Sequence, residues 1–235
     1  RVINDAAKGD APVLIPAFGV GRTQEIVYLI RELEDENAIP VLPVSVDSPM
    51  AAAATVAYSN RKEEHDEEYV SILRQHRHPL RTRSMSTASS RAESKKLNDA
   101  QGARIIISAS GMMTGGRVLH HAVRLVPDPE ATLVFVGFQT AGTTGRRIQN
   151  GEPEVKILGQ WIPVRCRITK IGGFSAHADW QEILNWLNSL GGNAPRLSFL
   201  THGEPEAATA MAGHIKDRFG WNVHVPQYGE RFEIS

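Results

Sequence analysis

One local pattern constrains this chain more than any other. A short apolar run, rich in β-branched residues, is followed by a glycine-containing turn and then by an amphipathic stretch. Val13-Leu14-Ile15, ended by Pro16, leads through Gly19-Val20-Gly21 into a segment where Ile26, Val27, Leu29, Ile30 and Leu33 recur near the helical period. Val41 to Val46 ends at Asp47-Ser48-Pro49, and an Ala-rich helical stretch starts at Met50. Ile105-Ile106-Ile107 opens onto Ser108-Ala109-Ser110-Gly111 and Gly115-Gly116, with a helix predicted from Arg117 to Leu125. Leu133 to Phe138 leads into Gly142-Thr143-Thr144-Gly145-Arg146-Arg147. Short buried strands separated by helices give βαβ units and a mostly parallel sheet. The fold class is α/β.

The pattern changes from about residue 155. Val155 to Leu158 and Val164 to Ile168 read as a hairpin or meander, and Gly172-Gly173 leads into Phe174-Ser175-Ala176-His177-Ala178-Asp179. An amphipathic helix follows, with Trp180, Ile183, Leu184, Trp186 and Leu187 on its apolar face. Leu197 to Leu200 is a strand capped by Thr201-His202-Gly203-Glu204. A helix over 206–218 and a strand at Val223 to Val225 come last. A domain change therefore falls between 150 and 172.

Composition excludes several classes of function. Lys+Arg and Asp+Glu number 26 each in 235 residues, so this is no bulk polycation that holds nucleic acid by net charge. Local asymmetry remains: an acidic run at 63–68 adjoins a basic stretch at 74–96, where Glu93 is the sole acidic residue. Cys166 is the single cysteine, which rules out an internal disulfide and a thiolate metal site. No apolar run approaches the ~20 residues that cross a bilayer, so no membrane partner is expected. The chain begins at Arg1 with no leader-type segment, which reads as a piece of a longer cytoplasmic protein.

Three glycine-containing turns, at 17–22, 108–116 and 139–146, each follow a strand and precede a helix. Such turns aim backbone N–H groups and a positive helix end at whatever lies beyond the strands, an arrangement that suits phosphate. Arg22, Arg117, Arg146 and Arg147 add charged donors. Gly19-Val20-Gly21 starts a dinucleotide fingerprint, but Gln24 stands where its third glycine belongs.

Most of the nine histidines have plain explanations. His65, His76 and His78 lie in charged stretches. His120 and His121 are neighbours on a helix, about 100° apart, and read as helix surface rather than as one metal site. His214 and His224 have no polar company. His202 differs because it ends a strand, where ligands gather in α/β sheets. His177 differs because it sits at a loop-to-helix junction beside Ser175 and Asp179, at least one of which reads as an N-cap. Two histidines do not complete a zinc site.

Taken in order, seven strings have a family look. They are Ile15 to Glu25, Asp47 to Ala51, Ile107 to Met113, Gly115 to His121, Gly142 to Arg147, Gly173 to Asp179 and His202 to Glu206. The series resembles the β-CASP branch of the metallo-β-lactamase superfamily, and within it RNA-processing nucleases similar to the cleavage and polyadenylation specificity factor endonuclease. The resemblance implies a β-CASP domain over 1–165, followed over 166–235 by the C-terminal part of a metallo-β-lactamase αββα domain. It implies zinc, as two ions, and hydrolysis of RNA phosphodiesters. His177 matches the family's proton donor to the leaving oxygen, and His202 matches a zinc ligand. Ser108, Ser110, Gly111, Arg146 and Ser175 match positions on the RNA-phosphate side.

The family's His-x-His-x-Asp-His run, a further His, the bridging Asp and the Glu-Ser-Thr-Tyr segment are absent. The expectation is therefore a fragment of a zinc-dependent ribonuclease, inactive alone. The alternative is a non-catalytic β-CASP module that binds RNA or partner subunits. RNA is the expected partner, and a homodimer is consistent with relatives.

Overall fold

Six strands, all parallel, form one sheet in the order β3-β2-β4-β1-β5-β8: β1 (Pro12–Pro16), β2 (Val44–Asp47), β3 (Met85–Thr87), β4 (Arg104–Ser108), β5 (Thr132–Phe135) and β8 (Arg167–Lys170). This computed structural model describes residues 1–175, 177–190 and 193–233. Two compact units divide after Phe174.

In the first unit, helices cover both faces of the sheet. Side chains alternate along each strand, so consecutive residues serve opposite layers. Val13, Ile15, Ile105, Ile107, Val134 and Val136 pack with Ile26, Val27 and Ile30 of α2 (Arg22–Asp35) on one face. Leu14, Ile106, Leu133 and Phe135 pack with Val118, Ala122 and Leu125 of α6 (Val118–Leu125) on the other. The uninterrupted apolar runs seen in the sequence reflect this double cover.

The connections around the central pair set the place for a site. From β1 the chain crosses β4 to reach β2, whereas from β4 it crosses β1 to reach β5. Adjacent strands thus send their connections in opposite directions, and a crevice at the carboxyl ends of β1 and β4 results. The remaining helices here are α1 (Val2–Lys8), α3 (Pro49–Asn60), α4 (Glu67–Arg74), α5 (Arg91–Asp99) and α7 (Thr144–Gln149).

The 155–168 region departs from its sequence reading. A hairpin does form, but from β6 (Glu154–Ile157) and β7 (Gln160–Pro163). Its two-residue loop, Leu158-Gly159, has φ of 49° and 83°, the pairing that matches strand twist in tight hairpins. Val164 to Ile168 does not join that hairpin. The Arg165 and Cys166 amides donate to the Val126 carbonyl, and Arg167–Lys170 then runs parallel to β5 as the sheet edge. Backbone pairing of β8 with the buried strand β5, rather than burial of β8 itself, takes the place of a continued meander.

The second unit holds α8 (Trp180–Asn188), β9 (Ser198–Phe199), α9 (Pro205–Phe219) and β10 (Val223–His224). Its core is Leu184, Ile215 and Trp221, and β9 pairs with β10 in parallel. Asp179 caps α8: its carboxylate accepts from the Glu182 amide at 2.8 Å while Glu182 accepts from the Asp179 amide at 2.9 Å. Among the described residues no helix is long and apolar enough to cross a membrane.

Candidate nucleic-acid interface

The three glycine-containing turns, scattered in sequence, are tied to one another in the first unit. The Ala17 amide donates to the Ser108 carbonyl at 3.0 Å, joining the turn after β1 to the turn after β4. The Gly145 amide donates to the Met112 carbonyl at 3.2 Å, and Gln139 Nε2 donates to the Gly111 carbonyl at 2.9 Å. The turn after β5 is thereby held as well. Close approach explains the glycines. A Cβ on Gly111 would stand 3.1 Å from the Phe18 ring, and one on Gly145 would stand 1.8 Å from Gln139 Oε1. Gly116 has φ of 81°, and a Cβ there would lie 2.4 Å from the Ala109 carbonyl oxygen.

Beneath these turns lies a buried polar network that the sequence reading did not find. Asp47, at the end of β2, has no exposed surface. Its Oδ1 accepts from Arg117 at 2.8 Å, and its Oδ2 meets His121 Nε2 and Ser94 Oγ, each at 2.6 Å. Its backbone carbonyl accepts from Ser108 Oγ at 3.0 Å. Burial pushes the Asp47 carboxyl upward, but hydrogen bonds from His121, Ser94 and Arg117 outweigh this and hold it below its ordinary value. Arg117 also donates to the Ala88 carbonyl at 2.8 Å and the Ser89 carbonyl at 3.0 Å.

His121 corrects the sequence expectation. It is fully buried, not on the helix surface, with Asn98 Oδ1 2.7 Å from its second ring nitrogen. The signal that could have found it is its spacing from Val118 and Leu125, which puts it on the apolar face of α6. His120 is exposed as expected. His224 also has company after all, the Glu230 carboxylate at 3.1 Å.

The expected phosphate contacts fall in different environments. Ser108 is buried and its hydroxyl is engaged by Asp47. Ser110 is half-buried; its hydroxyl accepts from the Thr114 amide at 3.2 Å. Gly111 is buried against Phe18, and its carbonyl holds Gln139. Arg146 donates to the Gln139 carbonyl at 3.1 Å, and its guanidinium lies 5.7 Å from the Phe138 ring centre. The other three arginines likewise hold protein groups. Arg22 binds Glu25 and the Phe174 carbonyl, Arg117 binds the network, and Arg147 pairs with Glu152 at 2.7 Å.

In the second unit Ser175 and His177 are exposed, and Ser175 Oγ accepts from the His177 amide at 3.3 Å. Ala176, between them, lies outside the described residues. His202 is exposed, follows β9, and has φ of 70°. A non-glycine residue in that left-handed region is uncommon and gathers at functional turns. Among the described residues there is no group of three or more His, Cys, Asp or Glu that could hold a metal ion. The residues present do not by themselves fit zinc.

Sequence comparison assigns this arrangement. Residues 23–148 match the Beta-Casp domain. The chain belongs to the β-CASP family. Residues 161–226 match a second domain, described as the Zn-dependent metallo-hydrolase RNA specificity domain. The β-CASP relatives include Ribonuclease TTHA0252 of Thermus thermophilus, 37% identical over 218 residues, which cover 93% of this chain and 49% of that protein. Transcription termination factor FttA of Pyrococcus horikoshii is 32% identical over 239 residues, 96% of this chain and 35% of that protein. FttA of Thermococcus kodakarensis is 31% identical, again over 35% of its length. This β-CASP chain thus spans half or less of the length of these relatives.

Proposed function

We propose that this chain is the RNA-handling portion of a zinc-dependent ribonuclease. The observation that carries the reading is the junction of three glycine-containing turns at the carboxyl ends of β1, β4 and β5, with Arg146 beside it. Close-packed glycine loops and a guanidinium suit a phosphodiester backbone and carry little sequence information. Ser110, Gly111 and Arg146 face the RNA phosphates in this reading, and Ser108 acts by holding the loop to Asp47. The domain matches and the ribonuclease relative support RNA as the polymer.

Within the second unit, Ser175 adds a phosphate contact, and His177 is the proton donor to the leaving 3′ oxygen. An exposed imidazole at a loop-to-helix junction suits that step. His202 supplies one zinc ligand, with its backbone turned sharply at the end of β9 to present the ring. Hydrolysis belongs to the whole protein, where further ligands complete the metal set. For this chain alone the activity is RNA binding.

The test is fluorescence anisotropy of a labelled single-stranded RNA at several salt concentrations. Arg146→Ala should weaken binding similarly for all sequences and reduce the salt slope by about 1. Unchanged affinity and slope would remove the cradle from this reading.

A further inference from the structure

A second cluster of arginines lies at the opposite end of the strands. Helix α2 leaves the carboxyl end of β1 and runs back along the sheet, so its last turn sits at the amino ends of the strands. There Arg31 and Asp35 meet the segment that leads into β3, with Arg77, Arg81, Thr82 and Arg83. The segment is fixed in place: the Arg83 amide donates to Glu34 Oε2 at 2.8 Å, and the Val44 amide donates to the Ser84 carbonyl at 2.8 Å. Between these pieces is an open depression of about 410 Å³, within the size range of small-ligand sites.

Its charge is unbalanced. Asp35 pairs with Arg31 at 2.7 Å, with Arg77 at 2.6 Å and with Arg83 at 3.5 Å. Arg81 is exposed and forms no ion pair among the described residues. Four guanidinium groups against the Asp35 and Glu34 carboxylates leave two positive charges in excess. The carboxyl end of α2 offsets part of that excess.

Two buried donors in this depression lack partners. Thr82 is 2% exposed, and its hydroxyl has no hydrogen-bond partner. Arg31 is 6% exposed, and its Nε–H is likewise unpartnered. A buried polar group left unpaired costs free energy, and an acceptor seated in the depression removes that cost. The Arg81 fork is open to an anion directly, whereas the Thr82 hydroxyl and the Arg31 Nε–H lie just beneath the surface and are reached after a small side-chain shift.

We infer that this depression binds a phosphate group, at a site distinct from the cradle formed by the glycine-containing turns. The phosphate comes either from the backbone of an RNA that extends beyond that cradle or from a small phosphorylated molecule. Both present the same tetrahedral oxyanion.

The experiment uses the 235-residue chain and two probes, inorganic phosphate and a roughly 20-nucleotide oligouridylate. Amide and guanidinium NMR signals of Thr82 and Arg81 are followed during phosphate titration. RNA affinity is measured between about 50 and 200 mM salt. Thr82→Val removes the hydroxyl at constant shape, and Arg81→Ala removes an exposed side chain without breaking an ion pair, so both variants keep the fold. The expected result is a saturable phosphate response that both variants weaken at least severalfold. If Arg81→Ala also lowers the RNA salt slope by about 1, the phosphate belongs to RNA; an unchanged slope assigns it to a small molecule. Arg146→Ala, at the other end of the strands, should leave the phosphate response intact whether or not the cradle binds RNA. No response to either probe at Thr82 and Arg81, or loss of the response in Arg146→Ala, overturns the site.

Discussion

Asp47 and His121, 74 positions apart, meet at 2.6 Å with both side chains fully buried. This contact joins the end of β2 to α6, and Arg117 on the same carboxylate fixes the turn that leads into that helix. Asp47→Asn leaves the Arg117 charge without its counterion in a site with little water. The expected cost is about 3 kcal/mol or more, a fall in melting temperature on the order of 10 °C. A thermal melt with an unchanged midpoint would mean that the network contributes nothing net to stability.

The same carboxylate sets a pH dependence. Against an upward push from burial, its hydrogen bonds to His121, Ser94 and Arg117 hold the folded-state value below 3.8. The unfolded chain therefore takes up this proton first as pH falls. The stabilisation is present in full above the unfolded value and is lost as pH drops through the folded one. The gap in urea midpoint between wild type and Asp47→Asn should be wide at neutral pH and narrow progressively in acid. A gap that stays constant would exclude Asp47 as its source.

Gly145→Ala tests the junction of the turns. The new methyl would lie 1.8 Å from Gln139 Oε1 and 3.1 Å from Phe135 Cε1, so Gln139 must leave its place. Overpacking of this kind costs about 1–3 kcal/mol. Because Gln139 also holds the Gly111 carbonyl, RNA affinity should fall along with stability. Loss of stability with intact RNA binding would separate the junction from the interface.

Cys166 should be inert in the folded protein. Burial pushes its thiol up to about 11, from 9.0 when free, so at neutral pH little thiolate is available. A thiol-reactive dye should label it slowly in buffer and rapidly in denaturant. Between those two values only the unfolded chain ionises, so the residue's contribution to stability declines as pH rises through that range. Fast labelling under native conditions would contradict its burial.

His202→Gly separates backbone from side chain. With φ of 70°, histidine sits in a region that costs an L-residue about 1–2 kcal/mol, which glycine avoids. Glycine's greater freedom when unfolded offsets part of the gain. The variant should melt at or slightly above the wild-type temperature. A clear drop in melting temperature would show that the imidazole stabilises the fold.

Much of this architecture was legible because its strands are covered on both sides. Ile105-Ile106-Ile107 must be buried whichever way its residues point, and the glycines after it mark the turn. β3 was invisible for the opposite reason: Met-Ser-Thr is short, polar and mostly exposed, and only pairing with β2 makes it a strand. α5 lay within a basic stretch, although Ser90 and Glu93 carry a complete capping box. The Asp47 network could not be read locally, since Ser94, Arg117 and His121 come together only through the order of the sheet. The partners of Arg22, Arg117 and Arg147, which are Glu25, Asp47 and Glu152, are likewise brought to them only in three dimensions.

The joined turns also have a consequence for motion. Ala17 holds Ser108, Gly145 holds Met112, and Gln139 holds Gly111, so none of the three loops opens without breaking a bond to another. Their amides should exchange with solvent as one cooperative unit, with a shared opening free energy well above that of an isolated surface loop. Under the RNA-binding proposal, such a surface is a fixed template, and the polymer crossing it would supply the flexibility.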